Sequence, residues 1–257
     1  MRPYVTPGSG ISRGFIRNQK QSARKRMSHD FDLRGVAAWG RSAAEYEAFF
    51  ALSNVPPSAR LLDCAGGPAS FAAEWGARGR FVVAADPIYR YSAESIAADF
   101  EPTANRMLDG MQKARDRFRW DHYGSPENVI EQRRKALTTF IADFQSPAPR
   151  GRYVAACLPE LPFQSGSFEI VLCSHLLFLY SEELDSDAHV AALREMLRVG
   201  REVRVFPLLD MDGRPSVHLD AIVCALQPSA HVELVPVPFE FRRGDSRMLR
   251  LTRLASA

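Results

Sequence analysis

The sequence predicts an α/β fold: a doubly wound, mostly parallel seven-stranded sheet with a C-terminal antiparallel hairpin and a helical insertion after the second strand. Three observations carry this expectation. Short apolar runs alternate with segments of helical spacing. The first run enters a Gly-Gly turn that opens a helix, as ligand-binding α/β sheets require. The last two runs have only turn residues between them. A chain of 257 residues that is 46% hydrophobic and 25% charged suits one such domain with additions.

Residues 1–28 come first, rich in Gly, Ser and basic side chains (Arg13, Arg17, Lys20, Arg24, Lys25, Arg26) and without apolar periodicity. They read as a basic, flexible arm, with residues 29–257 forming the domain. Residues 36–53 have helical spacing through Ala44, Tyr46, Phe49, Phe50 and Leu52, and Pro56-Pro57 ends that helix. Arg60–Ala65 is the first strand, Ala69–Gly76 a helix, and Arg80–Ala85 the second strand. Strand, glycine turn, helix and strand form a βαβ unit, which implies parallel pairing.

The stretch from Pro87 to Arg152 is about three times longer than a crossover of about 20 residues needs. Met107, Met111 and Phe118, then Val129, Ala136 and Phe140, suit helices with one buried face. Residues at about 100–145 therefore read as a helical cap. Alternation resumes with strands at Tyr153–Leu158, Phe168–Ser174 and Val203–Leu208 and helices at Ala188–Arg198 and Val217–Leu226. His231–Phe241 and Arg247–Arg253 form the closing hairpin.

The turn Asp63-Cys64-Ala65-Gly66-Gly67-Pro68 brings backbone N–H groups to a helix start, where a ligand can approach closely. Asp86 closes the next strand, where a carboxylate can accept the ribose hydroxyls of an adenosine. The line from Gly66 lacks the Gly-x-Gly-x-x-Gly spacing of a dinucleotide fingerprint, which argues against a pyrophosphate cradle.

LLDCAGGPASFAAE followed by VVAADP resembles the first two motifs of class I (Rossmann-like) S-adenosylmethionine-dependent methyltransferases. Leu161-Pro162-Phe163 and then Ser167–Leu172 are similar to that family's stretch along the fourth strand, and the closing hairpin is its usual ending. The resemblance spans about residues 36–254, apart from the insertion. It implies S-adenosylmethionine as cofactor, with Asp63 near the methionine amino group and Cys64 beside it. The backbone of Ala65, Gly66 and Gly67 would pass the sugar and methionine, and Asp86 would hold the ribose. Cys157 and Leu158 would flank the adenine, and Ser174 would face the cofactor's middle. WGRSAAEY resembles the helix that covers the cofactor in many members, which places Arg41 at the methionine carboxylate. Two positions depart from the pattern: Cys157 stands where an acidic residue often contacts the adenine amino group, and Glu169 stands where Asp is usual.

Methyl transfer needs alignment of nucleophile and methyl and, for a hydroxyl or carbon acid, a base. His175, at the mouth of the fourth strand, is the candidate catalytic residue. The alternative for His175 is a bond to a nearby backbone group. Tyr180, Asp185 and His189 are further pocket candidates. Phe118, Trp120, His122 and Tyr123 either bind a planar acceptor or pack the cap onto the sheet.

The expected acceptor is a small molecule. The alternatives are RNA or protein recruited by the basic arm, or binding of S-adenosylmethionine without catalysis. No GxSxG elbow suggests a hydrolase, and no Cys/His cluster has metal-ligand spacing, so no metal is expected. Cys64, Cys157, Cys173 and Cys224 read as reduced, buried thiols. Without an export signal or an apolar run of about 18 residues, the chain is expected to be cytoplasmic and off the membrane.

Overall fold

The computed structural model describes residues 39–147 and 151–254; the expected arm at 1–28 lies outside the described residues. The first helix, α1 (Ala43–Phe50), starts at Ser42, which forms a reciprocal capping box with Glu45, so two otherwise unpaired helix-start donors are satisfied. It is shorter than the expected 36–53, because Ala51 takes a left-handed conformation and ends it. Then follow β1 (Leu61–Cys64), α2 (Phe71–Ala77) and β2 (Val82–Ala85).

Between β2 and the next strand lie a 3₁₀ turn at Pro87–Arg90 and the helices α3 (Ala93–Ala98), α4 (Phe100–Lys113) and α5 (Pro126–Phe144). The rest runs β3 (Tyr153–Val154), β4 (Phe168–Ser174), α6 (Ser186–Val199), β5 (Gly200–Phe206), α7 (Leu219–Leu226), β6 (Ala230–Pro236) and β7 (Arg247–Arg253).

The seven strands form one sheet in the order β3-β2-β1-β4-β5-β7-β6. Strands β3 to β5 pair in parallel, and β7 is antiparallel to both β5 and β6. The order turns back at β1, with β2 on one side and β4 on the other, which creates the crevice where such sheets bind ligands.

The central strands β1, β2 and β4 are buried on both faces. Leu61, Val82, Ala84, Ile170 and Leu172 join one core with Tyr46, Phe50, Phe71, Trp75 and Phe140. Their neighbours Leu62, Val83, Val171 and Cys173 are equally buried but point the other way, where α6 packs on β4 and β5. The aromatic side is held by stacking: Tyr46 lies on Phe71 with ring centres 4.2 Å apart. Helix α5 reaches this core through Phe140, which stacks with Tyr89 and meets Tyr153 edge-on.

Three expectations are corrected. Strand β3 spans Tyr153–Val154 rather than 153–158, because the chain turns at 157–160 and carries a cis bond before Pro159. Strand β6 stops at Pro236 rather than Phe241, since Pro236 and Pro238 have no N–H to give a ladder. Of the four cysteines, Cys64 and Cys173 are buried, whereas Cys157 is half-buried and Cys224 is exposed on α7. Among the described residues, no helix is long and apolar enough to cross a membrane.

Candidate functional site

At the carboxyl end of β1 the chain makes a tight turn in which Ala65 and Gly67 both adopt positive φ, 58° and 56°. A side chain at Gly66 would lie 2.5 Å from Asp63 Oδ2, so glycine lets the turn sit directly on that carboxylate. Nothing lies within 4 Å of where a Cβ would stand on Gly67, which leaves that face of the turn open to a ligand.

Asp63, 1% exposed, receives the Tyr46 hydroxyl on its two oxygens at 3.2 and 3.1 Å. Burial pushes its carboxyl well above the usual range; the Tyr46 hydrogen bond pulls it back and Asp86 pushes it further up. Cys64 is buried and its thiol is pushed up by that burial. Asp86 follows β2 and caps the 3₁₀ turn, accepting Ile88 N–H and Gly67 N–H at 2.9 Å each. Burial raises its carboxyl to about 6, against the pull of those two backbone bonds. It therefore both caps a turn and ties the glycine turn to β2. Tyr89 completes the tie, donating its hydroxyl to Gly67 C=O at 2.7 Å.

Arg41 precedes α1 rather than lying on it. Its NH1 donates to Trp39 C=O at 2.8 Å, and its buried Nε has no partner among the described residues. Burial, then the neighbouring Arg133, lower it to about 10. The segment from Trp39 to Ser42 passes beside the glycine turn, with Ser70 Oγ donating to Arg41 C=O and Ala43 N–H to Glu74. Leu158 is buried and Cys157 half-buried at the cis turn beyond β3.

Ser174 is the last residue of β4, as the expected strand has it, and its Oγ pairs with His175 Nδ1 at 2.9 Å. His175 has a left-handed backbone (φ 55°), held by its N–H to Phe206 C=O, which turns its ring between Phe49 and Phe206. Burial first, then Arg41, Arg133 and Arg242, hold this imidazole well below its usual range, so it is neutral at pH 7. Of the other sequence candidates, Tyr180 is a buried residue of the 3₁₀ turn at Phe178–Tyr180, and the remaining two belong to α6 and its cap. Asp185 caps α6, and His189 bonds the Asp185 carbonyl from within α6.

Arg41 and His175 line a cavity of about 110 Å³ together with Phe49, Tyr123, Phe239 and Asp245, among others. Its roof comes from the insertion and the β6–β7 connection together. Phe118 pairs with Arg242 as an antiparallel bridge, Arg119 N–H donates to Phe241 C=O, and Arg243 N–H to Arg117 C=O. Phe118 and Tyr123 pack against Phe241, one of the two roles expected of the cap aromatics, and both line the cavity.

The cap is fixed to α1 by a buried ion pair. Arg133 of α5 reaches Glu45 at 2.7 Å with both side chains at most 3% exposed, and Tyr123 accepts from Arg133 while donating to Glu45. Burial pushes Glu45 up, but Arg133, Tyr123 and the Ser42 backbone outweigh it and hold the carboxyl below its ordinary value. The cavity shares Met107, Met111, Phe118, Met211 and Arg242 with a larger hollow of about 540 Å³ toward the surface.

Sequence reasoning missed Phe239, Phe241, Arg242 and Asp245, because that segment reads as strand and hairpin turn. The signal available was a cluster of aromatic and arginine side chains after two closely spaced prolines. Among the described residues no cluster of His, Cys, Asp or Glu could hold a metal.

The strand order, the glycine turn and the antiparallel ending define a doubly wound, Rossmann-like α/β fold. The chain is 30% identical over 227 residues to the Methanocaldococcus jannaschii protein named uncharacterized protein MJ0045, covering 86% of this chain and 98% of that one, and it belongs to that family. No family model matches the chain. Among solved structures it is similar to magnesium protoporphyrin IX methyltransferase from Synechocystis with bound SAM (10% identity, 96% of this chain and 87% of that one, TM-score 0.42). It is also similar to 1,6-didemethyltoxoflavin-N1-methyltransferase from Burkholderia thailandensis (14% identity, 98% and 94%, TM-score 0.42).

Proposed function

We propose that this chain is an S-adenosylmethionine-dependent methyltransferase acting on a small molecule. The observation that carries the reading is the open-faced turn at Ala65–Gly67, set between two buried carboxylates at the carboxyl ends of β1 and β2. The residues fit the cofactor. Asp63 is a buried carboxylate short of a cation, which an α-amino group supplies. Arg41 has a buried unpaired donor suited to a carboxylate. Each oxygen of Asp86 already accepts one N–H and keeps a lone pair for a ribose hydroxyl. Cys157 and Leu158 would flank the adenine, and Ser174 the cofactor's centre.

When bound, the cofactor supplies an electrophilic methyl group on a sulfonium. The protein's part is alignment and exclusion of water. The aromatic walls of Phe49, Tyr123 and Phe239 keep the cavity dry, and neutral His175 is available to take a proton from the acceptor. The small volume of the cavity favours a small acceptor over RNA or protein, which would need a broad surface.

Titration calorimetry tests the cofactor: S-adenosylmethionine should bind with a dissociation constant in the micromolar range or tighter, and NAD at least about tenfold more weakly. Tighter NAD binding would overturn the reading. Asp86→Ala should weaken S-adenosylmethionine at least about tenfold, the worth of one charged hydrogen bond at roughly 1.5–3 kcal/mol. Loss of its capping role should cost the fold only about 1 kcal/mol. Unchanged affinity would leave Asp86 as a cap alone.

A further inference from the structure

Two residues that line the cavity, Arg133 and Asp245, each carry a buried side-chain atom, Arg133 Nε and Asp245 Oδ1, that has no hydrogen-bond partner among the described residues and that the proposed cofactor site does not use. Asp245, 6% exposed, sits on the wall beside Phe239 and Arg242, and its Oδ1 is buried with no hydrogen-bond partner among the described residues. A buried acceptor without a donor is costly, and such atoms are rare in folded proteins. Its position is set by the backbone: the chain turns at Gly244 (φ 90°), and Asp245 N–H closes the turn onto Arg242 C=O. Burial raises the carboxyl to about 7, with a Leu208 backbone bond and Arg242 pulling it back.

The surroundings narrow what can reach that atom. The rings of Phe49, Tyr123, Phe239 and Phe241 meet largely edge to face and leave a space with apolar walls. A flat aromatic ring suits such walls, whereas a sugar or a peptide would strand its polar groups there.

The outer hollow differs in charge. It is lined by Arg106, Arg117, Arg242 and Arg243 against Asp116 and Asp212. Arg242 and Arg243 donate to the main-chain carbonyls of Asp210 and Asp116 rather than to carboxylates, and Arg106 donates to Thr103 Oγ1. These cationic groups are therefore not neutralised by the partners they bond, and an anionic substituent would pair with them.

We infer that the methyl acceptor is a small aromatic acid whose ring fills the cavity. A hydroxyl or ring N–H of that acid donates to Asp245 Oδ1, and its acidic group lies among the arginines of the outer hollow. The inference rests on the methyltransferase reading, yet binding of such an acid needs no cofactor. Asp245 is here a binding residue that orients the acceptor. A site built to receive a hydroxyl rejects the analogue lacking it, because the buried acceptor is then left bare.

The test uses the full chain and three fluorescent probes: 6-hydroxy-2-naphthoate, 2-naphthoate without the hydroxyl, and 2-naphthol without the carboxylate. The hydroxy acid should bind at least tenfold more tightly than either analogue. In Asp245→Ala the preference for the hydroxyl should vanish, so that the two acids bind alike. Asp245→Asn, which keeps the shape of the side chain, should reduce the preference to less than threefold and serves if the alanine variant does not fold. Replacing Arg117 and Arg243 together by alanine should weaken both acids at least fivefold and leave 2-naphthol unchanged.

Equal binding of the three probes, no binding of the hydroxy acid up to millimolar concentration, or a hydroxyl preference that survives Asp245→Ala would overturn the inference. S-adenosylmethionine is titrated in parallel. Cofactor binding without probe discrimination removes the aromatic acid and keeps the methyltransferase; discrimination without cofactor binding removes the methyltransferase and keeps the aromatic-acid site.

Discussion

Arg133→Ala should cost the fold about 3–5 kcal/mol in urea denaturation, the penalty of leaving a buried charge without its partner. The stranded group would be Glu45, which is 1% exposed and also closes the capping box of α1. The Tyr123 hydroxyl, now donating to Glu45, cannot replace a full positive charge. Much of the loss should return when both partners become neutral, as in Glu45→Gln with Arg133→Met, since paired removal leaves no isolated ion. A loss below about 1 kcal/mol for Arg133→Ala would show that water reaches Glu45 and that cap and α1 are joined by aromatic packing alone.

Asp63→Asn should separate stability from binding. In the ligand-free chain the carboxylate is buried with a neutral hydroxyl as partner, so its charge opposes folding. Because its folded-state pKa lies above the unfolded value of about 3.9, its protonation favours folding, and does so fully only below about pH 4. That support is lost as pH rises through the folded-state value. Asparagine does not titrate, so the variant's stability relative to the parent should improve as pH is raised from 4 to 8, reaching a gain of roughly 1 kcal/mol, or about 2–4 °C in Tm. S-adenosylmethionine should meanwhile bind about 30-fold more weakly, the equivalent of roughly 2 kcal/mol for a charged hydrogen bond. A relative stability that is flat with pH would mean that Asp63 is charged and compensated without ligand. Unchanged affinity would remove it from the cofactor site.

The parts legible in the sequence are those fixed by local chemistry. The period of the apolar runs gave the sheet and its helices, and the length between Pro87 and Arg152 gave the cap. Asp63, Gly66, Gly67 and Asp86 stand together because β1 and β2 are adjacent parallel strands whose ends must coincide. What could not be read depends on contacts distant in the chain. Nothing near Glu45 announces Arg133, and nothing near Phe118 announces Phe241. Asp245 looks like any aspartate in a Gly-Asp turn until the insertion closes over it.

The two edges of the sheet bear on pairing with other chains. A sheet must end somewhere, and an open edge strand offers its backbone to other chains. Here one edge is the two-residue β3, too short to template further pairing. The other edge, β6, ends in Pro236 and carries Glu233 paired to Arg250 of its neighbour. One margin of this sheet is short, and the other ends in a proline and carries a charged pair.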